Sequence, residues 1–356
     1  MSLASQNELS IETARPVLAR LLNRSVDGLE RIGGGRNSQV YRVDAGDGER
    51  FALKVYFRHP ADKRDRLATE FGSFTHLWQN GVREVPEPLA CEPERGWAIY
   101  HYIEGEKIPP GQAGEVEVVA AANFLGSLRS LAHKNESRQL GTASEAFFAV
   151  GQTVENVRQR LAALQRADDA SPAGRELRDF LATGFEPLLA RVVPWSEGRL
   201  RAAGVSFAEE LDLGRRTLSP SDFGFHNALR QRDGRIIFLD FEYFGWDDAA
   251  KMISDFLLHP AMDLPVAAKK RFASTMFANF ADWPGLRGRV EAVYPLFGLK
   301  WCMILLNEFR PDQMARRQFA ATVKADCSDL QLAQIGKARQ MLNRIKSEFE
   351  NFPYHG

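Results

Sequence analysis

The stretch LSPSDFGFHNALRQRDGRIIFLDFEYFG, Leu218 to Gly245, decides how this chain is read. It holds two loops that each present an aspartate, joined by a hairpin. Asp222 is followed five positions later by Asn227. Ala228-Leu229-Arg230 then leads to a turn at Asp233-Gly234 and to an apolar strand, Ile236 to Leu239, that runs straight into Asp240. A carboxylate at the end of a buried strand sits at the rim of a core. A charge there is costly unless a metal ion or a hydrogen-bond donor meets it. The order D-x-x-x-x-N, hydrophobic strand, D-F-E points to one chemistry. The first aspartate accepts the proton of an attacking hydroxyl, while the asparagine and second aspartate hold Mg²⁺ on nucleotide phosphates.

These residues resemble the catalytic segment of the aminoglycoside phosphotransferase and choline kinase-like enzymes, which share the protein-kinase-like fold. That family's pattern is H-G-D-x-x-x-x-N followed by I-D-[FW]-E. Here Pro220-Ser221-Asp222 precedes Asn227, and Leu239-Asp240-Phe241-Glu242 completes the motif. The leading His-Gly, whose histidine braces the loop in the family, is replaced by Pro220-Ser221. The resemblance covers most of the chain and implies an α+β, bilobal architecture. Residues 1–104 would form a small β-rich lobe that binds nucleotide, with one main helix. Residues 105–356 would form a larger helical lobe carrying the catalytic loop, the metal-binding loop and the acceptor site. It implies Asp222 as catalytic base, Asn227 and Asp240 as metal ligands, and ATP with Mg²⁺ as cofactors; the motifs do not separate ATP from GTP.

A chain of 356 residues has room for two such lobes. Its 44% hydrophobic and 26% charged content is that of an ordinary globular protein. Lysine and arginine balance aspartate and glutamate at 46 each. No basic excess steers it to nucleic acid or an anionic membrane. Cys91, Cys302 and Cys327 are far apart and form no C-x-x-C, so neither a zinc site nor a disulfide framework is expected. Without a secretory leader or a long apolar run, the expected compartment is the cytoplasm. Oligomeric state is not set by the sequence.

Before the catalytic stretch, the signals come in the order a kinase-like lobe needs. Residues 8–23 predict a short amphipathic helix. Leu29–Ile32 and Val40–Val43 predict strands around Gly33-Gly34-Gly35-Arg36-Asn37-Ser38. Glycines let backbone amides approach phosphate oxygens; taken alone, a triple glycine between strands is more often a hairpin turn. No G-K-[ST] follows, so it is not a Walker A loop. Phe51 to Tyr56 alternates as a strand, with Ala52 and Lys54 on one face. A lysine there either meets an anion or lies on an edge strand facing water. By the resemblance, Ala52 lines an adenine pocket and Lys54 reaches the phosphates. Residues 63–80 predict a helix whose Glu70 is the candidate partner of Lys54, with Asp65 and Glu84 as alternatives. By the resemblance, the strand from Gly96 to Ile103 leads into a hinge between lobes, and the backbone of Tyr100, His101 and Tyr102, up to Ile103, is the expected adenine-binding region.

After Pro109-Pro110 the pattern turns helical: 115–133, 145–165, 173–192, 199–213, then 247–259, 264–281, 289–310 and 328–350. His226 and His259 read as packing or surface histidines. Asp247 and Asp248 read as a helix start; by the resemblance, Asp248 is also a candidate brace for the active site. Glu242, Asp255, Trp301, Asn307 and Glu308 are candidates to line an acceptor cleft. Acids and aromatics there would suit a cationic small molecule with a hydroxyl. The expected activity is phosphoryl transfer to an aminoglycoside-, choline- or sugar-like hydroxyl. The alternatives are a nucleotide-binding pseudo-enzyme, motivated by the missing His-Gly, and a protein kinase, disfavoured because Asp240-Phe241-Glu242 runs quickly into a helix.

Overall fold

The computed structural model describes residues 9–34, 37–58, 64–167, 170–310 and 327–355. They form an α+β protein of two compact units. The first unit takes the chain up to Glu106 and also Leu229–Glu242; the second starts at Lys107 and includes the rest of the described residues. The strand that leads to Asp240, and Asp240 itself, therefore belong to the first unit, not to the helical one as a single break near residue 104 implies.

The first unit is built on an antiparallel sheet with the order β1-β2-β3-β5-β4. Its strands are β1 (Val26–Gly34), β2 (Ser38–Ala45), β3 (Arg50–Tyr56), β4 (Pro88–Glu92) and β5 (Trp97–His101). Alternation places Tyr41, Val43, Phe51, Leu53 and Ile99 in one core, covered by Ala14 and Leu18 of helix α1 (Ile11–Leu22). β1 and β2 reach further into the glycine-rich segment than the sequence predicts, with Gly34 still paired to Gln39. A Cβ on Gly34 would stand 2.7 Å from the Ser38 carbonyl oxygen, so only glycine fits this hairpin. Helix α2 (Arg66–Gln79) starts on Asp65, whose carboxylate accepts from Ala68 N–H at 2.9 Å. A short strand β6 (Glu106–Lys107) ends this part of the chain. The hairpin β8 (Ala228–Arg230) and β9 (Ile236–Phe238) is tied in by Phe238 N–H, which donates to Glu84 O at 2.7 Å.

The second unit contains α3 (Glu115–Ala132), α4 (Val150–Gln165), α5 (Pro172–Asp179), α6 (Glu186–Ala202), α7 (Ala249–Leu258), α8 (Val266–Asn279), α9 (Leu286–Leu305) and α10 (Cys327–Glu348). A π-helical turn, Phe180–Phe185, joins α5 to α6. The helix expected over 199–213 does not form: α6 ends at Ala202, and Gly204 takes φ +76 just beyond it. The helix expected from 145 starts at Val150, since Glu145 is itself left-handed at φ +57. Helix α9 has the length and apolarity of a membrane span. Its most apolar window is 72% buried inside the protein, which is how the core helix of a bundle behaves. Strand β7 (Arg216–Ser219) pairs antiparallel with β10 (Gly245–Asp248), so the two ends of the Leu218–Gly245 stretch are clamped together.

Candidate active site

β3 lies inside the sheet, between β2 and β5, so Lys54 is not an edge residue facing water. Its side chain is 9% exposed, and Nζ lies 2.6 Å from Glu70 Oε2 and 2.6 Å from Asp240 Oδ1. Burial alone would lower the lysine pKa. Asp240 first, then Glu70, hold the ammonium well above its ordinary value. Burial pushes the Glu70 carboxyl up to about 7, against the pull of Lys54. Of the three candidate partners for Lys54, Asp65 caps α2 and Glu84 accepts from Arg83 N–H, which leaves Glu70 as the helix acid that meets it.

Asp240 follows β9 with φ +67, a left-handed conformation that costs a non-glycine residue roughly 1 kcal/mol or more. Phe241 is anchored behind it, its ring 5.0 Å from that of Phe74. The carboxylates of Glu70, Asp240 and Glu242 bring oxygens within 4.8 Å of one another. This all-oxygen set has the chemistry that Mg²⁺ takes. Glu70 is bonded to Lys54, while Glu242 Oε1 accepts from Asn37 Nδ2 at 2.6 Å and lies 3.5 Å from Arg66 Nε. Asp240, with its side chain 34% exposed, is the member open to a cation. Glu242 is 4% exposed, and within the first unit its carboxylate is taken up by Asn37.

The other nucleotide-side candidates divide. Ala52 sits in β3 and is paired with Tyr100 of β5. Gly33 and Gly34 lie in β1, Ser38 starts β2, and Asn37 beside them is tied to Glu242; Gly35 lies outside the described residues. The Tyr100 ring is core: its hydroxyl bonds Tyr56 at 2.8 Å and its ring meets Phe74 edge-on at 5.5 Å. His101 N–H donates to Glu87 O and Tyr102 N–H to Arg50 O, so both amides are already taken up within the sheet.

In the second unit, Ser221 adopts φ +68. The residue before the catalytic aspartate is glycine in the resembling family, and serine accepts the strain here because its side chain is bonded. Ser221 Oγ donates to Ser144 O at 3.0 Å and accepts from Lys251 Nζ at 3.2 Å. These bonds brace the loop that the family braces with a histidine. Lys251 is 3% exposed and paired with Asp247 at 2.7 Å and Asp255 at 3.2 Å. Asp255 also accepts from Trp301 Nε1 at 3.0 Å. Asn307 and Glu308 form the short turn after α9, where Glu308 is buried. Asp248 caps α7 through Ala250 N–H and meets Arg289 at 2.7 Å.

Asp222 is 40% exposed at its side chain. Partial burial would raise its pKa; hydrogen bonds from His226 and His259 outweigh that and pull it well below the usual carboxylate range. His226 Nε2 lies 3.3 Å and His259 Nε2 3.1 Å from the same oxygen, Oδ1, with the two rings stacked 4.0 Å apart. Neither is the packing or surface histidine that the sequence suggests. Asn227 Nδ2 donates to the Asp222 carbonyl at 3.3 Å, which leaves its amide oxygen as the atom suited to a cation.

Comparison with known proteins fits this geometry. No curated protein sequence matches the chain. Among solved structures, the AMP-bound spectinomycin phosphotransferase is similar with a TM-score of 0.63 at 11% identity, over 92% of this chain and 99% of that one. A choline/ethanolamine kinase family protein from Mesorhizobium loti gives 0.58 at 18% identity, over 96% and 94%. Choline kinase from Cryptosporidium parvum Iowa II gives 0.59 at 13% identity, over 92% and 93%. At these identities the likeness is one of fold, the protein-kinase-like fold. The model of the phosphotransferase enzyme family matches residues 28–289. The chain therefore belongs to the phosphotransferase enzyme family.

Proposed function

We propose that the protein transfers the terminal phosphoryl group of ATP, or of GTP through the same motifs, to a hydroxyl of a small molecule of aminoglycoside, choline or sugar type. The observation that carries this reading is the buried Lys54, bonded at once to Glu70 and Asp240. A cation held by two acids beside a glycine-rich hairpin is an arrangement for gripping nucleotide phosphates. Asp240 and Asn227 are assigned to Mg²⁺, which would neutralise phosphate charge when bound. The assignment of Asn227 rests on the sequence motif and on its available oxygen. Asp222 is assigned as the base: it is ionised, partly exposed and held by donors on one oxygen only.

A pseudo-enzyme reading rests on the replaced His-Gly. The bonds of Ser221 to Ser144 and Lys251 weaken it, because they brace the loop without the histidine. A protein-kinase reading needs an activation segment. Here Tyr243 and Phe244 lead directly into β10 and α7.

The test is Mg²⁺-dependent ADP release from ATP across aminoglycosides, choline, ethanolamine, homoserine, simple sugars and a generic protein, with Asp222→Asn as control. Acceptor-stimulated turnover lost in the control supports the reading. Undiminished turnover in Asp222→Asn sinks it.

A further inference from the structure

Asp222 is approached by two imidazoles, and both bonds fall on Oδ1; among the described residues none falls on Oδ2. We propose that His259 is a positioning residue for phosphoryl transfer: as a neutral imidazole fixed in its Nε2–H form, it donates to Asp222 Oδ1 and leaves Oδ2 to take the acceptor's proton. The inference rests on Asp222 being the base and adds what orients it.

The backbone decides the tautomer. His259 Nδ1 accepts the N–H of Ala261 at 3.2 Å. A ring nitrogen that accepts carries no proton, so in the neutral ring the proton is on Nε2, 3.1 Å from Oδ1. The surroundings keep the ring neutral. Its side chain is 8% exposed, the Trp301 ring meets it edge-on at 4.7 Å, and His226 stacks on it at an interplanar angle of 13°. Two stacked imidazolium rings would repel, and burial holds the His259 pKa below its usual value. Trp301 is itself fixed by its bond to Asp255, so a chain of contacts runs from the buried Lys251 to the ring that holds Asp222.

Asp222, His226 and His259 also bring one ligand atom each within 4.8 Å of one another, which resembles a two-histidine, one-carboxylate metal set. The Ala261 bond argues against that use. A metal on His259 Nε2 would move the ring proton to Nδ1, where it would face the Ala261 N–H, donor against donor. Hydrogen bonding satisfies every partner of His259, and coordination does not.

The sequence gives little warning of this role, because His259 lies 37 positions after Asp222. It sits just past α7, where the residue after Leu258 leaves helical geometry and turns its ring back toward the loop.

The test has two arms. The first uses the full chain labelled with ¹⁵N-histidine near neutral pH in chelator-treated buffer, with His259 assigned by the signal lost in His259→Gln. The expected spectrum shows an unprotonated Nδ1 and a protonated Nε2. An Nδ1–H tautomer or a doubly protonated ring overturns the proposal, and so does stoichiometric coordination of added Zn²⁺ at Nε2. This arm needs no acceptor, so it fails or stands apart from the assignment of Asp222 as base, which Asp222→Asn tests. The second arm is kinetic. His259→Gln places an N–H donor where Nε2 was and should keep kcat within about fivefold; His259→Leu should lower kcat about 30- to 100-fold with the KM for ATP unchanged. Equal losses in the two variants overturn the proposal, as does a loss confined to KM.

Discussion

Lys54 Nζ lies 2.6 Å from Oδ1 of Asp240, a residue 186 positions further along the chain. The pair joins the central strand of the sheet to the acid that follows β9. Because Glu70 is also 2.6 Å away, removing the lysine would leave two acids facing each other at the proposed phosphate site. Lys54→Met is expected to raise the KM for ATP and to lower kcat/KM about 10²- to 10³-fold. Steady-state kinetics and nucleotide titration check it. Wild-type affinity and rate in the variant would remove Lys54 from the phosphate site.

Asp222 and Asp240 have separable expected roles. Asp222→Asn keeps the size of the side chain and should reduce transfer about 10²- to 10⁴-fold while leaving nucleotide binding near wild type. Asp240→Asn suits the left-handed backbone, which asparagine tolerates, and removes only the charge. It should abolish the Mg²⁺ dependence of nucleotide binding. Calorimetric titration of nucleotide with and without Mg²⁺ distinguishes the two. If Asp222→Asn lost nucleotide binding and Asp240→Asn kept it, the assignments would be reversed.

What could be read from the sequence depended on whether a residue's role is local or comes from distant chain segments. The spacing from Asp222 to Asn227 and the strand running into Asp240 are local, and they pointed to the candidate site. Periodicity put Lys54 on one face of its strand and Glu70 close to the packing face of its helix, and the resemblance paired them; the structure brings the two together. His226 and His259 carry no such pattern, and their convergence on Asp222 comes only from tertiary structure. Glu242 shows the same limit: the D-F-E motif names the acid, but that Asn37 and Arg66 approach it from elsewhere in the first unit comes only from tertiary structure. The amides of His101 and Tyr102 also illustrate the limit, since only the observed register shows them already bonded.

The pair Asp248–Arg289 should act on stability more than on chemistry. Both side chains are nearly buried, at 3% and 7%, and Asp248 also caps α7. Asp248→Ala leaves the Arg289 charge buried without its carboxylate and removes a helix cap. Such breaks cost about 3–5 kcal/mol. Urea unfolding of the variant reads this directly. A change below about 1 kcal/mol would show that solvent or another acid replaces the partner.

Glu145 provides a test of acid sensitivity. Its carboxylate meets Lys300 at 3.1 Å and also pairs with Arg160. Partial burial would raise its pKa, but Lys300 and then Arg160 pull it from the ordinary 4.5 down to about 2. The folded value is thus below the unfolded one. The stabilisation is fully present above about pH 4.5 and is lost as the pH falls toward about 2. Glu145→Gln should therefore be less stable than wild type at neutral pH, by about 1 kcal/mol after allowing for the partial exposure of the carboxylate. The difference should shrink steadily below about pH 4.5. Unfolding measured for both proteins across that range decides the point. A gap that stays constant into acid would mean that the charge on Glu145 contributes nothing, and that the variant's loss comes from packing around Lys300.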